Sequence, residues 1–203
     1  MRSENKPTGQ RSFIEEARRT QIIASAIEVL AEAGWAGASL ANIAKHAGIS
    51  KGVISYHFAG KDELMEEVVE QVYAQIAEYV LAKMEGEKSA TELLRTHVLA
   101  VAEHMRGNRT RLKAIGEIFH NLRGPDGGAR YGPQTNEEIY QALELVYKLG
   151  QDTGEFRAFD RRVMAVTHSA AVDAMFTYWV VIPGHDLDAH ARELADLLER
   201  AVK

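Results

Sequence analysis

Residues 39–64 read Ser-Leu-Ala-Asn-Ile-Ala-Lys-His-Ala-Gly-Ile-Ser-Lys-Gly-Val-Ile-Ser-Tyr-His-Phe-Ala-Gly-Lys-Asp-Glu-Leu. Two short helices are encoded here. Ser39 has the hydroxyl to cap the first, and Leu40, Ile43 and Ala44 follow on one face at helical spacing. Ala44 is small enough to let a second helix cross closely. Gly48 can take the left-handed conformation that ends a helix, and Ile49 supplies an apolar plug for the corner. Ser50 caps a second helix, Lys51–Tyr56. This order of cap, small residue, turn glycine and cap predicts a helix-turn-helix, a unit that lays its second helix in the DNA major groove.

Val53 and Ile54 are both β-branched and apolar; Ile54 sits where the second helix meets the first and is the one expected inside. The outward set is then Lys51, Gly52, Val53, Ser55 and Tyr56, with His57 at the end. Lys51 can neutralise a phosphate or reach guanine, Gly52 lets the backbone approach closely, and Ser55, Tyr56 and His57 donate hydrogen bonds to phosphates or base edges. Ser39 and Ser50 join the set as caps beside the phosphates. Lys61 opens the next helix, where free N–H groups already favour an anion. Taken alone, a helical hairpin with a wet polar face would carry a similar pattern; the agreement of all these features favours the DNA reader.

From about Arg19 to Leu64 the chain resembles the tetracycline-repressor-like (TetR) family of transcriptional regulators. The resemblance is carried by Ile22, Ala26, Gly34, Leu40, Ile43-Ala44, Ala47-Gly48-Ile49-Ser50, Lys51-Gly52, Tyr56-His57-Phe58, Lys61 and Leu64, about a quarter of the chain. Ser39 stands where many members carry Thr and keeps the hydroxyl. Ser55 stands where many carry an aromatic, so the bases it reads are its own matter.

The 203 residues suffice for a substantial helical body plus a small appended domain. No cysteine is present, which excludes disulfides and cysteine–zinc sites and agrees with a reducing cytoplasm. Residues 1–10 are polar and lack the apolar core of a secretory signal. The most apolar run, Val163 to Ile182, is interrupted by His168 and Asp173, so a buried helix is expected rather than a membrane span. The net charge is −5, but it is unevenly placed. Residues 1–61 hold eight Lys/Arg against five acids, net +3, and the remainder holds 16 against 24, net −8. A basic head on an acidic body suits a protein that touches DNA at one end.

The helical pattern continues throughout, with no strand signal, and predicts an all-α fold of nine helices. Three form an N-terminal domain with an arm, 1–60, and six form a ligand-binding and dimerisation domain, 61–203. In the arm, Arg2, Lys6 and Arg11 could follow phosphates or enter a minor groove, or form an ordinary frayed terminus. A first helix spans about Phe13 to Ala33 and stops at Gly34. A long helix from Lys61 to about Glu85 links the head to the body and stops at Gly86. Ser89–Glu92 and Thr135–Glu138 have capping-box spacing, Asn108, Asp160 and Asp186 are further caps, and Gly150 and Gly154 mark a helix exit. Residues 123–134 form a Gly/Pro-rich loop.

The last two helices are too apolar to be solvated all round. Either they fill a core of one chain or they pair with a symmetry mate. The family resemblance implies the second: a homodimer through a four-helix bundle, with Ala171, Met175, Tyr178, Trp179, Leu194 and Leu198 as interface candidates. Two recognition helices related by a twofold axis would require a palindromic operator. The resemblance also implies a small-molecule effector in the body. Met105, Ile115, Phe119, His120, Tyr140, Leu143, Tyr147, His168 and Phe176 are lining candidates, and aromatic rings with a few polar tips suit a mostly apolar compound. The same residues at helical spacing could equally be plain core.

An enzyme is the competing class. Glu117-Ile-Phe-His120 has the Glu-x-x-His spacing of carboxylate-bridged metal bundles, but those use two such motifs and two further glutamates. One motif, with no His-Glu-x-x-His and no phosphate-binding glycine loop, predicts no metal, no cofactor and no catalytic set. A helical protein-interaction module is the remaining alternative; it leaves the basic head unexplained.

Overall fold

The computed structural model describes residues 8–203, with side chains from Phe13 onward. Its described elements are nine α-helices and one 3-10 turn, so the all-α expectation holds. The helices are α1 (Thr8–Gly37), α2 (Leu40–His46), α3 (Lys51–His57), α4 (Lys61–Met84), α5 (Ala90–Met105), α6 (Arg109–Asn121), α7 (Glu137–Thr153), α8 (Arg161–Val181) and α9 (Leu187–Val202). The expectations for Arg2, Lys6 and the Arg11 side chain lie outside the described residues.

The chain divides into two compact units. The first takes the described residues up to Val72 together with Lys113–Ala129; the second takes Tyr73–Leu112 and Arg130–Lys203. The boundary expected at residue 60 therefore differs from the edge of the compact unit. Leu64, Met65, Val68, Val69 and Val72 explain the difference: all five are buried, so the first turns of α4 serve the first unit as core rather than as a linker. Ala114, Ile118 and Leu122 of α6 are buried in the same unit.

In the first unit, α1 supplies Ile22, Ala26 and Leu30, all fully buried, and α2 and α3 supply Ile43, Ala44 and Ile54. The helical course of α1 breaks at Gly34, whose φ of 66° and ψ of −177° suit glycine alone. One short turn, Trp35–Gly37, follows the break.

In the second unit, α5 packs on α9 and α7 on α8. The apolar stripe of α9, Leu187, Ala191, Leu194, Ala195, Leu198 and Val202, is buried throughout. Asp160 caps α8 by accepting from Val163 N, and Asp186 caps α9 by accepting from Ala189 N, as their positions predict. Three expectations are corrected. Ser89 does accept from Glu92 N, but the carboxylate at that helix start is Glu155, 66 residues away from Ser89; it accepts from Ser89 Oγ at 2.7 Å and from the N–H groups of Ala90 and Thr91 at 3.0 Å. These bonds hold its carboxyl down at about 2. Thr135 opens no helix: its hydroxyl turns back to Gly132 O within the 3-10 turn Pro133–Thr135. Gly150 is not an exit but an interior position of α7, vacant because the Phe156 ring lies 2.0 Å from where a Cβ would stand. Gly154, at φ 76°, ends that helix.

Candidate nucleic-acid interface

The two-helix unit forms as the sequence predicts. Ser39 Oγ accepts from Asn42 N at 3.2 Å and Ser50 Oγ from Val53 N at 3.4 Å. At the turn, Gly48 N bonds Lys45 O and Ile49 N bonds Ala44 O, the paired closure a left-handed residue permits. Ile49 is half-buried, Ile54 is fully buried, and Phe58 closes the far end, 2 % exposed.

With Ile54 inward, the opposite face of α3 is set. Lys51, Gly52, Ser55 and Tyr56 are exposed and share it with half-buried Val53 and His57. Ser39 and Ser50 are exposed beside it. Tyr56 is 72 % exposed; its hydroxyl donates to Glu15 Oε1 at 3.4 Å, and its ring meets His57 edge-on at 5.0 Å. A Cβ built on Gly52 would meet nothing closer than Ser50 Oγ at 3.7 Å, so no internal crowding requires glycine there.

Lys61 is placed differently from an open phosphate contact. Its Nζ donates to Trp35 O at 2.6 Å and lies 3.9 Å from the centroid of the Trp35 ring. Partial burial lowers its pKa against the opposing pull of Asp62. Of its three N–H donors, one is thereby taken.

A residue outside the predicted set holds the unit together. Arg19 of α1 donates to His57 O at 2.8 Å, pairs with Glu67 at 2.8 Å and stacks over the Phe58 ring at 4.5 Å. The sequence showed a basic residue on a long amphipathic helix; nothing local indicated that its guanidinium closes α3 onto α4.

In the second unit, Met105, Tyr140, Leu143, Tyr147, His168 and Phe176 are all buried. Tyr147 Oη lies 2.9 Å from His168 Nδ1, and His168 Nε2 lies 3.1 Å from His97 Nδ1. His97 was not among the predicted residues. Burial holds its imidazole down at about 4, and burial together with His97 lowers His168 well below the usual histidine range. Both rings are therefore neutral at pH 7. A Tyr147 O–H donating to His168, and His168 Nε2–H to His97, satisfies each donor in turn. One ring nitrogen nearby, His104 Nε2, is buried without a partner, 5.0 Å ring to ring from Tyr79. Ile115, Phe119 and His120 fall in the first unit, and His120 is exposed, its Nδ1 3.1 Å from Gly116 O.

Glu117 and His120 do not converge on a common point of chemistry. The Glu117 carboxylate accepts from Trp35 N at 2.8 Å. Among the described residues, no group of three or more His, Cys, Asp or Glu side chains could hold a metal ion. Nor is any described helix long and apolar enough to cross a membrane.

Of the residues expected at a dimer interface, Met175, Trp179, Leu194 and Leu198 are buried in this chain's own core, and Ala171 is half-buried. Only Tyr178 is exposed. The sequence shows that α8 carries apolar residues on more than one face, but not which stripe its own bundle takes. The stripe left outside is Val163, Val166, Ala170, Ala174, Tyr178 and Val181.

Residues 22–68 match the model of the family described as bacterial regulatory proteins, tetR family. The HTH-type transcriptional regulator BetI 2 of Chromohalobacter salexigens is 34 % identical over 103 residues, 51 % of this chain and 47 % of that protein. The chain thus matches about half the length of this curated relative. Solved structures share the fold over more of the chain. FadR from Bacillus subtilis, in complex with stearoyl-CoA, superposes with a TM-score of 0.78 at 22 % identity over 91 % of this chain and 99 % of that one. A transcriptional regulator from Saccharomonospora viridis, in complex with choline, superposes with a TM-score of 0.75 at 21 % identity over 92 % and 97 %.

Proposed function

The N-terminal domain of the chain belongs to the TetR family of bacterial regulators, and on that premise we propose that the protein is an effector-responsive transcriptional repressor that grips a palindromic operator as a homodimer. One observation carries the reading: burial of Ile54 turns Lys51, Gly52, Ser55 and Tyr56 together to solvent on a helix capped at Ser50. Lys51 is assigned to phosphate or guanine, Ser55 to a base edge, Tyr56 and His57 to the phosphate walls, and the two free donors of Lys61 to a flanking phosphate. Gly52 supports the same reading. A glycine inside a helix costs about 1 kcal/mol relative to alanine. Here the fold has room for a side chain, so the glycine is assigned to close approach of the backbone to the groove and not to internal packing.

The dimer forms through the outward stripe of α8 that the bundle leaves uncovered. The effector is small and mostly apolar, and it enters the second unit among Tyr140, Leu143, Tyr147, His168 and Phe176. The neighbouring structures hold an acyl-CoA and choline, two unlike molecules. The chemistry of the effector therefore follows from each chain's own lining and not from the fold. Its binding lowers operator affinity through a coupling of about 1–3 kcal/mol.

Selection of bound duplexes from a random pool tests the proposal. A palindrome with half-sites separated by about 34–36 Å, or a multiple of it, is expected. A purified protein that stays monomeric and ignores every duplex at low ionic strength overturns it.

A further inference from the structure

Trp35 is held from two sides. Gly34 turns the chain out of the helical course of α1, so the N–H of Trp35 points away from the carbonyls of its own helix. The Glu117 carboxylate of α6 accepts that N–H at 2.8 Å. On the far side of the same residue, Lys61 of α4 donates to Trp35 O at 2.6 Å and covers the ring. Two helices distant in sequence thus grip one residue, and that residue stands four positions before the cap of α2.

The grip from α6 is firm at its base. Ala114, about one turn before Glu117, and Ile118, the residue after it, are fully buried, and Leu122 is buried one turn further on. The same helix runs unbroken from Arg109, whose guanidinium stacks on Trp179 at 4.5 Å, and Arg111 donates to Gln75 at 2.5 Å. Gly34 fits the arrangement: a Cβ there would stand 3.4 Å from Glu117 Oε2, and φ of 66° excludes other residues without strain.

We infer that Glu117 is a positioning residue for the DNA-reading helices: its bond to Trp35 N–H fixes the α1–α2 corner to α6, and α6 thereby sets where α2 and α3 stand. The inference rests on the DNA-reading proposal for its consequence, but its geometry can be tested separately. The Glu-x-x-His spacing acquires a different meaning in this light. The carboxylate serves a backbone donor that Gly34 has stripped of its helical partner.

The absence of cysteine allows a direct measurement. Lys45 of α2 and Lys113 of α6 are both exposed, and Lys45→Cys with Lys113→Cys accepts a pair of spin labels. Pulsed dipolar spectroscopy is run on labelled full-length chain diluted in unlabelled chain, with Glu117 intact and as Glu117→Ala, Glu117→Asp and Glu117→Gln. Gln keeps an acceptor at the right reach, Asp keeps the charge but falls one methylene short, and Ala keeps neither. A narrow distance distribution is expected for Glu and Gln and a broadened or shifted one for Asp and Ala. Affinity for the selected palindrome should fall by about 5–150-fold in Ala and Asp, the span of ordinary site-to-site coupling, and return to within about threefold in Gln. Melting temperatures within a few degrees of one another separate positioning from general loss of structure; if Ala unfolds, Asp carries the test. Unchanged distances in both Asp and Ala overturn the inference, as does unchanged operator affinity despite altered distances. A wild-type protein that binds no duplex sinks the DNA-reading proposal instead, and the distances still decide the role of Glu117.

Discussion

Arg19 and His57 lie 38 residues apart, yet the Arg19 guanidinium donates to the His57 carbonyl at 2.8 Å. That carbonyl belongs to the last turn of α3, where helices leave acceptors unsatisfied. With the Glu67 pair and the Phe58 ring, the same side chain closes three contacts at once. Replacing Arg19 by Ala should cost about 2 kcal/mol of stability, since it strands a part-buried carboxylate and a carbonyl together. Arg19→Lys should recover less than half of that, because an ammonium cannot fork to both acceptors. Urea unfolding of the two variants checks the order; equal stability for Lys and wild type would show that only the charge matters.

Gly52→Ala should separate folding from DNA binding. The helix should gain up to about 1 kcal/mol because alanine replaces glycine in open space. Operator affinity should fall, because the new methyl stands between the backbone and the groove. Melting temperature and fluorescence anisotropy on the selected duplex read the two effects. A variant that binds as well as wild type removes Gly52 from the interface.

Lys51→Ala should flatten the dependence of binding on salt by about one unit of slope if it faces phosphate. If it reads guanine it should instead relax preference at a single base pair by about 1–3 kcal/mol. Lys61→Ala should lower thermal stability as well as binding, since the Trp35 carbonyl and ring lose their cation. Loss of binding with full stability would mean the Trp35 contact is incidental.

Acid should weaken the second unit through its two buried histidines, against an opposing contribution from Asp173, whose carboxyl burial raises to about 6. Unfolded histidine takes up protons as the pH falls through about 6.5. Folded His97 resists until about 4, and His168 resists further, so the folded state binds fewer protons between those values. The stability they contribute is whole above about pH 7 and declines from 6.5 toward 4, by roughly 2–3 kcal/mol for His97. Thermal melts at pH 7.5 and 5.0 should show a steeper loss for wild type than for His97→Gln. Parallel losses would remove the histidine pair as the cause.

Ala174→Glu or Val181→Glu should convert a dimer to monomers in sedimentation velocity, because each places a charge on the uncovered stripe of α8. Met175→Leu, a near-isosteric change inside the core, should leave assembly intact. Dissociation by Met175→Leu alone would return the interface to the opposite face.

The helix-turn-helix was legible because its signals are local. Ser39, Gly48 and Ser50 act within four residues of themselves, and Ile54 declares the inner face by its own chemistry. What the sequence left open depends on contacts between distant segments. Glu155 completes the start of α5 from across the unit, Arg19 closes α3 and Glu117 holds Trp35; in each case the partner is unrelated by spacing. Which stripe of α8 its own bundle covers was not legible for a similar reason. A helix with apolar residues on several faces carries a weak periodic signal, and the packing of α7 and α9 decides which side remains outside.

The outer residues of α3 contribute little to what keeps the head folded. Lys51, Gly52 and Ser55 are exposed, while Ile54 and Phe58 are buried behind them and Arg19 stacks on the Phe58 ring. If α3 reads an operator as proposed, its preference can drift, or be rewritten by design, through Lys51 and Ser55 one substitution at a time, without each change being filtered through the melting temperature.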